Sequence, residues 1–215
     1  MPAGAGLGHH AATGRSGCCS AAAGRLHQNP DRPGIADGSN VVGAGRIQVV
    51  TGLQREYRSS NGAQSRTLFL PTLLRMGLSE NFEFRIESNT CTRTTETDST
   101  QGTARAEGIA PVSVGLEYHF IDADGRQQPS VGVIARVFPR YGTRDFQTTR
   151  ATGDFRLVAD WDFLPEWSLN PNVGVALYES SDRRLLYAAG LFAATLNFNP
   201  SKSLSFFIDT GTPVF

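Results

Sequence analysis

Ten ionisable side chains could do chemistry if the chain brought them to one place: Arg75, Glu83, Arg85, Glu87, Glu117, His119, Arg136, Arg156, Asp160 and Asp162. Each lies in a strand-sized stretch of alternating polar and apolar residues. Mutual neutralisation across neighbouring strands would keep a polar interior solvated or plugged. A subset closing to a constriction would sort solutes by size and charge, and the mixed signs argue against strong anion or cation selectivity. His119 beside Glu117 would suit a hydrolase, which also needs a serine within hydrogen-bond reach. Ser113 lies on the same strand, about 20 Å away at roughly 3.3 Å per residue, so no catalytic role is expected. Asp160 and Asp162 share a parity, yet only Asp160 lies well inside its strand, which leaves no acid–base dyad. Cys18, Cys19, His9 and His10 fit no metal-ligand spacing. The glycines around Gly174 precede no helix and make no phosphate loop. No metal or cofactor is expected.

The segment that positions the first of these charges is residues 67–87. Phe82, Phe84 and Ile86 oppose Glu83, Arg85 and Glu87, a period of two that defines a β-strand with one apolar and one charged face. Before it, Leu68, Leu70, Leu74 and Met76 share a parity opposite to that of Arg75, and Gly77 to Asn81 form a polar turn. The same alternation places Val112, Val114, Leu116, Tyr118 and Phe120 against Ser113, Gly115, Glu117 and His119. Val131, Val133, Ala135 and Val137 oppose Gly132 and Arg136, and Phe155, Leu157, Ala159 and Trp161 oppose Arg156, Asp160 and Asp162. With segments at 46–57, 168–178, 184–198 and 203–210, about nine antiparallel strands are predicted. The segment at 184–198 is apolar on both parities, so its facing is left open.

The chain has 215 residues and zero net charge, which gives no support to a nucleic-acid partner. No apolar run is long enough for a membrane-crossing helix. The even-numbered connections are mostly tight (LSEN, LPEW, NPSK), and the odd ones are mostly longer, including the threonine-rich stretch from Asn89 to Gly108. Membrane barrels sort their turns and loops in this way. Phe82, Tyr118, Phe120, Trp161, Phe163 and Trp167 sit at strand ends, where a bilayer interface places its aromatic girdle. Residues 1–40 are rich in Gly and Ala, contain no apolar signal segment, and read as a disordered or extended tail before a barrel at 41–215. The cysteines, Cys18, Cys19 and Cys91, form no tidy disulfide framework. The fold expected is an all-β, antiparallel, up-and-down transmembrane barrel, incomplete at nine strands.

The ordered series Asp31-Arg32-Pro33, Gly45-Arg46-Ile47-Gln48, Leu70-Pro71, Leu74-Arg75-Met76-Gly77-Leu78-Ser79 and Phe82-Glu83-Phe84-Arg85 resembles a family of Gram-negative outer-membrane proteins. That family is labelled as transporters or as the MetA pathway of phenol degradation. Pro111-Val112-Ser113-Val114-Gly115 is similar to its fourth strand, except that Ala110 and Pro111 stand where a lysine is common. The resemblance covers about residues 31–212. It implies an outer-membrane barrel, in contact with the lipid bilayer, that passes small aromatic or hydrophobic compounds and is no enzyme. The residues alone leave two alternatives open. One is a soluble lipocalin-like barrel with Phe84, Leu116 and Leu157 lining an apolar interior. The other is a structural barrel that conducts nothing.

Overall fold

The computed structural model describes residues 36–60, 63–98, 102–144, 146, 148–180, 185–201 and 203–214. The strands are β1 (Ile47–Thr51), β2 (Gln54–Ser60), β3 (Ala63–Gly77), β4 (Phe82–Asp98), β5 (Gly102–Gly108), β6 (Val112–Ile121), β7 (Ser130–Phe138), β8 (Thr152–Leu164), β9 (Trp167–Glu179), β10 (Leu186–Ser201) and β11 (Leu204–Val214). They form one antiparallel sheet in the order β1-β3-β4-β6-β7-β8-β9-β10-β11, curved into a half-barrel. No helix occurs among the described residues.

β2 and β5 are continuations rather than extra strands. β1 and β2 pair with β3 in a single register, Thr51 opposite Thr72 and Gln54 opposite Phe69. The interruption faces Pro71, which has no N–H to give to the ladder. Its carbonyl still accepts from Gly52 N at 3.1 Å. β5 and β6 likewise share one register on β4, Gly108 opposite Thr92 and Val112 opposite Ser88, broken around Pro111. Cys91 stands opposite that break, in the left-handed region (φ 51), where the β3–β4 register shifts between Leu68 and Leu70. It is a free, exposed thiol. Cys18 and Cys19, like His9 and His10, lie outside the described residues. The described residues therefore make a sheet nine strands wide, as the alternation indicates.

The stretch from Asn89 to Gly108, expected as a long polar loop, is instead mostly strand. β4 runs on to Asp98 and β5 returns from Gly102. Threonine is β-branched and suits a pleated surface, and the Thr67–Thr94 and Thr97–Thr103 hydroxyls meet across strands at 3.2 and 3.4 Å. Arg93 and Glu107 add an exposed ion pair at 3.0 Å. Both faces there are polar, so no apolar period marks the strands. The first connection shortens in the same way, with β2 ending at Ser60 and β3 starting at Ala63. The asymmetry between the two ends of the sheet is thus carried largely by strand length. At the other end the turns are tight, as at Pro165-Glu166.

One face of the sheet is covered and the other is open. The open face carries the apolar parity: Leu116, Leu157 and Val175 are 42%, 41% and 57% exposed. Phe155, Leu177, Phe192, Phe206 and Ile208 continue it. The facing of β10 is now assigned: Ala189, Leu191, Ala193 and Thr195 are buried on the covered face, and Phe192 points out.

Candidate functional site

The covered face collects the charges. Glu83 and Glu117 are fully buried, and Arg75 and Arg85 are 2% exposed. His119 and Arg136 are buried as well, and Glu87, Arg156 and Asp160 lie partly buried on the same face. All nine candidate interior residues therefore come together; Asp162, the tenth ionisable group of the alternating stretches, is exposed.

Register explains how the charges pair. Arg75 stands directly opposite Arg85, and Glu83 directly opposite Glu117, so these two cross-strand pairs on β3, β4 and β6 are like-charged. Among these four residues the attractive contacts run along diagonals and along single strands. Arg75 Nε donates to Glu83 Oε1 at 2.7 Å and Arg85 Nη1 to Glu117 Oε2 at 3.1 Å. Arg85 Nε also lies 3.6 Å from Glu83. Farther along the sheet Arg136 donates to Glu87 at 2.8 Å and lies 3.1 Å from Asp154, which also accepts from Arg156 Nε at 3.0 Å. Like charges opposed on one face repel, and here each is offset by an opposite charge: Arg75 and Arg85 by Glu83 and Glu117 of the neighbouring row, and Arg136 by Asp154 directly opposite it. Gly115 makes room for it: a Cβ there would fall 2.8 Å from Arg136 Cγ.

The cover is a strap of the chain's own N-terminal part, residues 36–43, laid across the strands just before β1. Asp37 N donates to Asn172 Oδ1 at 2.7 Å, and Asn172 Nδ2 returns a bond to the Asp37 carbonyl at 2.8 Å. Ser39 N and Ser39 Oγ both donate to Asp160 Oδ2 at 2.7 Å, and Asn40 Nδ2 does so at 3.0 Å. The Ser39 and Ser130 hydroxyls meet at 2.7 Å. His119 Nδ1 donates to the Ser39 carbonyl at 2.7 Å, while Nε2 faces Asp122 at 3.0 Å. Arg75 donates to the Asn40 carbonyl, and Val42 N donates to Glu83 Oε2 at 2.8 Å. The strap thus crosses from β9 to β3 and finds a polar partner at nearly every step. Extended backbone laid over a buried surface must satisfy its N–H and C=O groups, and the charged row supplies the partners.

The strap ends where Gly43 (φ 78) turns the chain and Gly45 N donates to the Gly77 carbonyl at 2.9 Å. A Cβ on Gly77 would lie 1.8 Å from the Gly43 carbonyl oxygen, so only glycine allows the strap to cross β3 there.

Of the expected disordered or extended tail at 1–40, only the last five residues are described. Residues 1–35 lie outside the described residues, and Ala36 to Asn40 are pinned to the sheet by the hydrogen bonds of Asp37, Ser39 and Asn40. Asp37, Ser39, Asn40, Asp154 and Asn172 are the site residues the alternation did not single out. The strap carries no period, and Asp154 and Asn172 lie near segment ends or among uncharged residues. A run of small polar residues immediately before the first strand was the available signal.

The aromatics expected at an interface form three groups at the tight-turn end of the sheet. Phe82 and Tyr118 are 6.4 Å apart by ring centroids, and Tyr118 stacks with Phe120 at 6.4 Å. Trp161 meets Phe163 at 5.6 Å. Trp167 stacks on Phe198 at 4.6 Å, which continues to Phe206 at 6.4 Å. Trp161 Nε1 donates to the Arg126 carbonyl at 2.9 Å, giving this amphipathic ring one polar end.

Among the described residues no group of His, Cys, Asp and Glu has the arrangement of a metal site. Ser113 and His119 lie on one strand, with Arg136 standing opposite Gly115 between them, and Ser113 forms no pair with the imidazole.

The sequence pattern of one protein family, described as "Putative MetA-pathway of phenol degradation", matches residues 30–210. No curated protein and no solved structure matches the chain.

Proposed function

The chain belongs to the MetA-pathway of phenol degradation family, and from that premise we propose that it is an outer-membrane β-barrel protein passing small aromatic or hydrophobic compounds. The observation that carries this reading is the inversion of the usual order of burial. Charged residues occupy the covered face, and a continuous sweep of Leu, Val and Phe side chains from β6 to β11 lies open. Water-soluble monomers rarely expose an apolar patch beyond a few hundred Å², whereas a barrel wall in lipid presents such a band flanked by aromatic residues. A soluble lipocalin-like barrel requires Phe84, Leu116 and Leu157 to line its interior. Leu116 and Leu157 instead lie on the open face, which speaks against that arrangement. In a bilayer only closed or fully paired backbone is tolerated, so the edge strands β1 and β11 must find partners there.

The strap across the charged face favours a second reading, a structural barrel whose passage is closed. One set of measurements separates the readings. The protein should fractionate with outer membranes, migrate differently in detergent gels before and after heating, and give discrete conductance steps in planar bilayers. Heat-shifted migration without conductance would leave the structural barrel. Monodisperse protein recovered from the soluble fraction without detergent would remove both.

A further inference from the structure

We propose that Arg85, Arg136 and Arg156 form a carboxylate seat inside the barrel, occupied by the strap's own Asp37, which a small apolar carboxylic acid replaces when it binds. This deepens the functional reading and rests on it, since the charged face must be reachable by solutes.

The seat is built from three cations on three strands. The Asp37 carboxylate lies 2.9 Å from Arg156 Nη1, 3.6 Å from Arg136 Nη1 and 3.6 Å from Arg85 Nη2. Each arginine is also held by a carboxylate of the sheet: Arg85 by Glu117, Arg136 by Glu87 and Asp154, and Arg156 by Asp154. These sheet contacts keep the guanidinium groups in place when Asp37 leaves, so the seat does not have to be rebuilt for an incoming anion. Arginine is suited to this because its planar fork serves two carboxylates at once.

The floor of the seat is apolar. Ile134 and Val158 are fully buried on the charged face. Ile134 stands directly opposite Arg156, and Val158 lies two residues beyond Arg156 on the same face of β8. Directly opposed side chains sit about 5 Å apart at Cβ, so an apolar body attached to the carboxylate would rest on these two residues. Beside them lies the strap backbone at Ser39: a Cβ on Gly132 would fall 3.2 Å from the Ser39 carbonyl oxygen and 3.5 Å from Val158 Cγ2. Removing the strap there opens space over an apolar floor beside three cations, which suits an aromatic acid better than a neutral aromatic or an inorganic anion.

An internal ligand lowers apparent affinity by the fraction of molecules whose seat is empty. Freeing the seat should therefore tighten binding by at least about 10-fold if the strap is closed most of the time. The test uses full-length protein in detergent with Cys18, Cys19 and Cys91 changed to serine, titrated calorimetrically with sodium benzoate. Benzyl alcohol serves as the uncharged control. Asp37→Asn should bind benzoate at least about 10-fold more tightly than its parent, show no gain for benzyl alcohol, and lose the gain when Arg156→Gln is added. Equal or weaker benzoate binding by Asp37→Asn, or a gain shared by benzyl alcohol, would overturn the proposal. A second measurement leaves Asp37 intact. A Ser39→Cys thiol, buried under the closed strap, should react faster with a maleimide as benzoate is added and show no change with benzyl alcohol. A rate indifferent to benzoate counts against the seat. Heat-shifted migration, run in parallel, keeps the two claims apart. Loss of the heat shift with benzoate binding intact removes the membrane reading alone. An intact heat shift without the benzoate gain removes the seat alone.

Discussion

Replacing Leu157 by arginine is expected to destabilise the lipid-reconstituted protein by about 2–4 kcal/mol, the penalty for a cation near the midplane of a barrel's lipid face. Leu157 lies in the middle of β8, between Val133 on one neighbouring strand and Val173 on the other. It is 41% exposed, so little protein packing is lost when its side chain changes. In water an exposed substitution of this kind falls within about 0.5 kcal/mol of neutral. The size of the effect therefore reports the solvent on that face. Denaturant titration of vesicle-bound protein, following the heat-sensitive gel band, measures it. A Leu157→Arg protein as stable as its parent would show that this face looks into water.

The second large effect belongs to the covered face. Arg136→Met should cost about 3–5 kcal/mol, because removing one partner of a buried ion pair leaves the others uncompensated. Arg136 contacts Glu87, Asp154 and Asp37 at 2.8, 3.1 and 3.6 Å, and three carboxylates would be left short of a cation. Methionine retains much of the stem, so the loss is mainly electrostatic. The control is Arg93→Met, which breaks the exposed Arg93–Glu107 pair on the β4–β5 extension. Exposed pairs of this kind contribute about 0–1 kcal/mol. Equal unfolding midpoints for the two variants would show that the network on the covered face is as well solvated as the outer end of the sheet.

The alternation of residues 82–87 and 112–120 made most of the fold legible, because a period of two fixes both the strand and the parity that faces the covered side. The nine charges of the covered face were legible for the same reason: each occupies the polar parity of a strand whose other parity is apolar. What the pattern could not carry was any element without a period. The Asn89 to Gly108 stretch has polar residues on both faces, so nothing distinguished a paired strand from a loop until the cross-strand threonines were placed. β10 has apolar residues on both faces, and its orientation came from its pairing with β9, where Ala193 faces Asn172 and Phe192 faces Val173. The strap is irregular and gains its order entirely from tertiary partners such as Asp160 and Asn172, which lie more than 100 residues away in the chain. Its composition resembles that of the segment before it, and composition alone gave one description to both.

The Leu157→Arg effect and the proposed function depend on which solvent meets the apolar side chains. The chain holds two tryptophans, Trp161 and Trp167, both at the tight-turn end on strands β8 and β9 and neither buried. Reconstitution into vesicles of phosphatidylcholine brominated at different depths, with intrinsic fluorescence as the readout, tests this without any substitution. The expected result is strong quenching, greatest for bromines close to the headgroups and weaker toward the bilayer centre. Fluorescence identical in brominated and unbrominated lipid would place both rings in water and contradict an apolar face turned toward the membrane.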